Sequence, residues 1–379
     1  MAVAATLLAA LVLAGGCSPD KGSQAAAVRV HGTVVGADGR PAARVQVALV
    51  KESPFVQAAE GTLFAVATLG AACLAEQRPP LCVGTRMTRT AADGGFSFTL
   101  AGASAKVAAG RPSSYEVAAL IPPQTGDPAP TVTTVRFPAQ PSALELPPLR
   151  PWHARVELDQ ADPRMLRVTW PALPAEGYGS SPRYTVWFSD HATGRPVWAV
   201  PDVIPGAGVD TRFLEDRTGN VAVDAQTTMD APVGPLRFSY GFTTVPFTGT
   251  AGPPPSRNAA CFGYRADGGP VAVSPCRLTD GDLFTLSGEE DCKECAPQRS
   301  SEYVDLGSPK PLALLVVRGP AASSLTLESS GDATTWAPLG TVSENTRTVT
   351  PPPGSTARYV RVKAGEGSDV SALSELSVW

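Results

Sequence analysis

The chain has 379 residues, a formal net charge of −4 and only 17% charged residues, so it lacks the basic footprint that nucleic-acid binding requires. Its 36 Gly and 38 Pro favour short strands and turns over long polar helix faces, and the length allows two or three domains of ordinary size. At the N-terminus an apolar run over residues 6–13 lies within the ~7–15 residues of an export-signal core and falls far short of the ~20 that span a bilayer. Small residues Ala14, Gly15 and Gly16 then precede Cys17, which is followed by Ser18, Pro19 and Asp20.

This order resembles a bacterial lipoprotein signal. The resemblance implies a signal peptide over 1–16, a lipidated Cys17 as mature N-terminus and a tether over 17–27. Ser18 is compatible with sorting to the outer membrane. A departure is that residues 1–16 hold no Lys or Arg, whereas an export signal usually begins with a basic region, and a start codon set too late would explain this. The alternative reading is an ordinary cleaved secretory signal with Cys17 lost or free. The six other cysteines can close three disulfides in an oxidising envelope, and their spacing suggests Cys73 with Cys82, Cys261 with Cys276, and Cys292 with Cys295.

Proline-rich breaks at 147–152 and 249–256 divide the mature chain into three parts. In the first, 28–150, Val28, Val30 and Val34 alternate with Arg29, His31 and Thr33, a turn follows at Asp38 and Gly39, and Val45, Val47 and Leu49 alternate again. A second Asp-Gly turn at Asp93 and Gly94 feeds Phe96, Phe98 and Leu100. With Gly32 and Pro41, these residues resemble the carboxypeptidase regulatory-like family, small transthyretin-like sandwiches, with Gly95 an insertion. That family usually serves as a spacer, and His31, on the polar alternation, is expected to be solvated.

In the second part, 151–250, Leu166, Val168 and Trp170 share one strand face, as do Tyr184, Val186 and Phe188. A Trp closing one strand and a Tyr opening the next resemble a fibronectin type III sandwich. Trp187 and Trp198 could form a sugar platform, although edge or inter-domain packing explains such residues more often.

The third part, 251–379, contains a strand apolar on both faces, with Leu312, Leu314 and Val316 against Ala313, Leu315 and Val317, as a strand in the middle of a sandwich requires. Asp280 and Gly281, then Asp305, Leu306 and Gly307, Ser329, Ser330, Asp332 and Trp336, Arg358 to Val362 and finally Glu375 follow in an order that resembles the discoidin domain, also called the coagulation factor five/eight type C domain. The resemblance implies a jelly-roll sandwich that binds carbohydrate or another surface ligand. It also implies a structural calcium held by Asp280, Asp282, Thr285 and Glu375, since hard oxygen donors suit that ion. A tight Asp-Gly turn explains the first two residues without a metal, and Ser287 stands where many such modules keep a Trp. Cys292 and Cys295 form a C-x-x-C without the βαβ setting of a redox site or the second close pair of a zinc site, so a loop disulfide is the better reading.

No nucleophile elbow, H-E-x-x-H or P-loop occurs, and the histidines are His31, His153 and His191. The expected protein is all-β, three tandem sandwiches ending in a discoidin-like jelly roll. It is expected to be a non-catalytic lipoprotein of the cell envelope that presents a glycan- or surface-ligand-binding head at the membrane, with no nucleic-acid partner. Its ligand is expected at the loops of one end of that head. The alternative is a structural or assembly lipoprotein whose last domain binds a protein partner.

Overall fold

A computed structural model of the protein describes residues 28–52, 85–100, 114–123, 130–138, 143–162, 164–174, 178–191, 196–215, 217–232, 234–241, 244–265, 267–282, 285–287, 295, 299–319, 325–342, 347–365 and 369–379. Among the described residues every regular element is a strand apart from one 3-10 turn, Arg212–Leu214, in keeping with the all-β expectation. Among those residues no helix is long and apolar enough to cross a membrane. The expected signal 1–16, Cys17, the tether 17–27 and Cys73, Cys82 and Cys292 lie outside the described residues.

The first part forms β1 (Val28–Thr33), β2 (Gln46–Glu52), β3 (Arg86–Arg89), β4 (Gly95–Leu100), β5 (Ser114–Ile121), β6 (Thr131–Pro138) and β7 (Leu144–Glu145). β1 lies between β4 and β7 in a small sheet, and its alternation sends Val30 into the core with Phe96 and Phe98 while Arg29 and His31 face water. The turn before β4 demands glycine: Gly94 has φ +75°, and an added Cβ would lie 2.5 Å from the Val34 carbonyl oxygen.

The second part adds β8 (Glu157–Asp162), β9 (Met165–Thr169), β10 (Arg183–Asp190), β11 (Pro196–Pro201), β12 (Gly208–Asp210), β13 (Thr218–Met229), β14 (Leu236–Gly241) and β15 (Thr244–Thr248). β6 pairs with β14, Val135 opposite Phe238 and Thr133 opposite Tyr240, so one nine-stranded sheet runs through both sides of the break at 147–152. Leu166 and Val168 of β9 and Tyr184, Val186 and Phe188 of β10 are buried together. Trp170 lies 5.5 Å from the Tyr184 ring, whose hydroxyl accepts the Leu173 N–H at 2.8 Å. Such a polar handle lets a buried tyrosine pack without an orphaned hydroxyl.

The third part comprises β16 (Ala260–Tyr264), β17 (Pro270–Val273), β18 (Ser301–Pro311), β19 (Leu315–Arg318), β20 (Leu325–Ser330), β21 (Ala337–Val342), β22 (Thr348–Val349), β23 (Thr356–Ala364) and β24 (Glu375–Val378). A six-stranded front sheet, β17-β16-β18-β23-β20-β21, faces a rear sheet, β22-β19-β24. Val304, Leu327, Val360 and Val362 from the front meet Leu315, Val317, Leu376 and Val378 from the rear, all essentially without exposure. Burying each such side chain contributes roughly 1.5–3 kcal/mol. Cys261 of β16 is bonded to Cys276 with Cα atoms 5.4 Å apart, and Cys295 is disulfide-bonded as well.

The run over 312–317 is apolar on both faces for a reason other than the expected one. Leu315 and Val317 enter the core of their own sandwich, whereas Leu314 and Val316 join the core of the middle part, where Trp379 also packs. The rear sheet therefore has two buried faces because a neighbouring region covers its outer side.

Candidate functional site

The outer side of the front sheet carries a row of aromatic and charged side chains. Residues alternating with the core positions of β16, β18, β23 and β20 come into register as Phe262 opposite Tyr303, Tyr303 opposite Arg361 and Arg361 opposite Glu328. Phe262 stacks on Tyr303 with centroids 5.0 Å apart, and Tyr264, Trp336 and Tyr359 surround Tyr303 at 5.9, 5.6 and 5.9 Å. Phe262, Tyr264, Trp336 and Tyr359 are half-buried, while Tyr303 is covered by its neighbours and its burial pushes the phenol up to about 12.

Arginines border these rings. The Arg361 guanidinium lies 4.1 Å from the Trp336 centroid and donates to Glu328 Oε2 at 2.6 Å and to the Tyr264 hydroxyl at 3.3 Å. Arg358 holds both oxygens of Asp305 at 2.9 and 3.0 Å and lies 4.8 Å from the Tyr359 ring. Its hydrogen bonds keep the Asp305 carboxyl below the usual range.

Trp336 owes its place to the turn before β21. Asp332 Oδ1 accepts the N–H groups of Thr334 and Thr335, each at 2.8 Å, and the Ser330 hydroxyl at 3.0 Å. These bonds, led by Thr335, hold the Asp332 carboxyl well below the usual carboxylate range. The turn thus closes over the end of β20 and leaves the indole lying on the sheet.

The four residues expected to hold calcium meet in part. Asp280 Oδ1 accepts the Asp282 N–H at 2.8 Å, and its Oδ2 takes the Thr285 hydroxyl at 3.4 Å and Arg277 at 3.3 Å. Glu375 joins from β24 by accepting the Gly281 N–H at 3.1 Å, with Arg257 4.0 Å from its other oxygen. The Gly281 carbonyl is itself bonded by Arg217. Both oxygens of Asp280, Oε2 of Glu375 and the Gly281 carbonyl already accept N–H, hydroxyl or guanidinium groups, while Oε1 of Glu375 is buried with no hydrogen-bond partner, so calcium, an ion that needs six or more oxygens, is not fitted by this donor set. Among the described residues no group of three or more His, Cys, Asp or Glu could hold a metal.

The other candidates serve elsewhere. Trp198 lies beneath Arg318 of the third part, 5.5 Å from the guanidinium, and Trp187 donates to the buried Asp224 at 2.7 Å, so these two indoles do not form a joint platform. His31 stands 3.8 Å from Glu145 with both side chains in water. The aromatic row was not singled out from the sequence, yet a signal was present: in Arg358 to Val362, valines at alternate positions point Tyr359 and Arg361 outward.

No family model matches the chain, and no curated protein does. Among solved structures, the chain is similar to the C-terminal domain of a chitobiase from Bacteroides fragilis at 19% identity over 31% of this chain and 89% of that one, TM-score 0.24. It is also similar to CpGH89CBM32-6 from Clostridium perfringens at 21% over 27% and 82%, TM-score 0.21. A third is the CBM32 of AlyQ in complex with 4,5-unsaturated mannuronic acid, at 18% over 27% and 83%, TM-score 0.20. Likenesses of this size assign no ligand, and the site stands on its own residues.

Proposed function

We propose that the chain is an exported lipoprotein of the bacterial cell envelope, anchored through a lipidated Cys17, whose C-terminal sandwich binds glycan without catalysis. The observation that carries the reading is the half-buried row of Phe262, Tyr264, Trp336 and Tyr359 around Tyr303 on the front sheet. Flat rings beside charged groups suit a sugar, whose C–H face stacks on an aromatic plane while its hydroxyls reach polar neighbours. On this reading the ligand lies on the rigid front sheet instead of the end loops.

Among the described residues a hydrolytic role finds no support on this face. Asp305 and Glu328 are the carboxylates beside the rings, and each is held by an arginine, where a general acid would need a raised pKa.

The test uses the mature chain with Cys17→Ser, made in an oxidising host and applied to a broad glycan array. Binding is expected, and Trp336→Ala should weaken it at least tenfold, about 1.4 kcal/mol, with an unchanged unfolding temperature. A folded chain silent on the array that instead captures an envelope protein through the same face would move the function to assembly.

A further inference from the structure

The outer face of the rear sheet and the Asp280 loop meet the middle part through charges. β19 and β24 set Arg318 opposite Glu375, one pair beyond Val317 and Leu376. Glu215, in the turn after Arg212–Leu214 of the middle part, is 1% exposed and bonded by Arg257 of the third part. Arg217, two residues on, stands 3.7 Å from Glu215 and reaches across to the Gly281 carbonyl.

Gly281 is fitted to this arrangement. Its φ is +81°, and an added Cβ would lie 2.1 Å from Nη1 of Arg257, so the guanidinium lies directly on the loop backbone. Three arginines, Arg217, Arg257 and Arg318, thus gather around two buried carboxylates, Glu215 and Glu375, and bring positive charge against the backbone of the Asp280 loop.

We propose that the guanidinium groups of Arg257 and Arg217 do at the Asp280 loop what a calcium ion would do. The C-terminal sandwich then needs no metal, and the same contacts fasten it to the middle part. This goes beyond the glycan reading and does not depend on it.

The test again uses the mature chain with Cys17→Ser. Its unfolding temperature should be the same in millimolar calcium as in chelator, and terbium should give no luminescence sensitised by the protein. A rise of several degrees with calcium, or terbium emission abolished by Asp280→Asn, would overturn the replacement of the ion.

For the fastening, hydrogen exchange followed by mass spectrometry compares the chain with its Arg257→Ala variant. Exchange should quicken at least tenfold over residues 249–251 and 278–282, where Gly249 and Ala251 donate to the carbonyls of Arg217 and Glu215 and Gly281 to Glu375, while β18 and β23 stay protected. Unchanged exchange in a folded variant would refute the latch. Should that variant fail to fold, Arg217→Gln gives the same comparison with only the loop carbonyl and Glu215 losing a partner. Glycan binding enters neither readout, so its absence would leave both results standing.

Discussion

Both sheets of the C-terminal sandwich set an arginine over a tryptophan. On the front, Arg361 lies 4.1 Å from Trp336 beside half-buried rings; on the rear, Arg318 lies 5.5 Å from Trp198 and is itself 4% exposed. Burial separates the two. The front guanidinium is partnered by Glu328, and with side chains 16% and 15% exposed the pair still touches water along its outer edge. The rear guanidinium has been taken out of water, and burial pulls it down to about 10 although Glu375 and Glu215 oppose that shift. One pairing of residue types thus presents a surface in one place and joins two regions in the other.

Removing each arginine should expose that difference. Arg318→Ala leaves Glu375 and Glu215 with less compensation, and denaturant unfolding should show a loss of about 3–5 kcal/mol. Arg361→Ala should cost less, about 1–2 kcal/mol, because the Glu328 left behind keeps some contact with water although the Tyr264 bond and the Trp336 contact are lost. Replacing both Arg318 and Glu375 with Met should recover much of the loss, because a matched apolar pair carries no desolvation penalty.

A third indole sharpens the contrast through pH. Trp187 and Gln226 donate to Asp224, yet burial outweighs those bonds and raises its carboxyl from 3.8 to about 6. Below 3.8 the group is protonated in both folded and unfolded chains. As pH rises towards 6 the unfolded chain releases its proton first, so this group lowers stability, by up to about 3 kcal/mol once pH passes 6. Unfolding free energies measured across that window should show the decline in the native chain, and Asp224→Asn should remove this part of it.

Strand faces were legible wherever alternation ran through one segment. Val30 in β1, Leu166 and Val168 in β9, and Tyr184, Val186 and Phe188 in β10 are buried as their parity requires. Parity also showed that the run 312–317 has two apolar faces, but not that Val316 reaches the core of the middle part, because that depends on how separate sheets pack. Glu375 was read with the Asp280 loop, and the structure does bring the two together. The arginines beside them come from positions 217, 257 and 318, and no local pattern announces their convergence. The aromatic row escaped notice for the same reason, since its rings come from four segments between positions 262 and 359 that only sheet pairing makes neighbours.

The smallest expected effect asks whether the front face works as a prepared surface. Trp336 is held by the turn that Asp332 closes, and that carboxylate, held by Thr335 and Thr334, stays ionised throughout the ordinary pH range. Asp332→Ala deletes no ring, but it lets the indole leave the plane beside Tyr303, so a glycan ligand would have to order Trp336 on binding. Affinity measured by calorimetry should fall severalfold, less than for Trp336→Ala, with the added cost appearing as less favourable entropy. Equal losses in the two variants would mean that the turn does more than position the ring. No loss would mean that Trp336 reaches the ligand without it, and the face would then be assembled by the ligand instead of being ready for it.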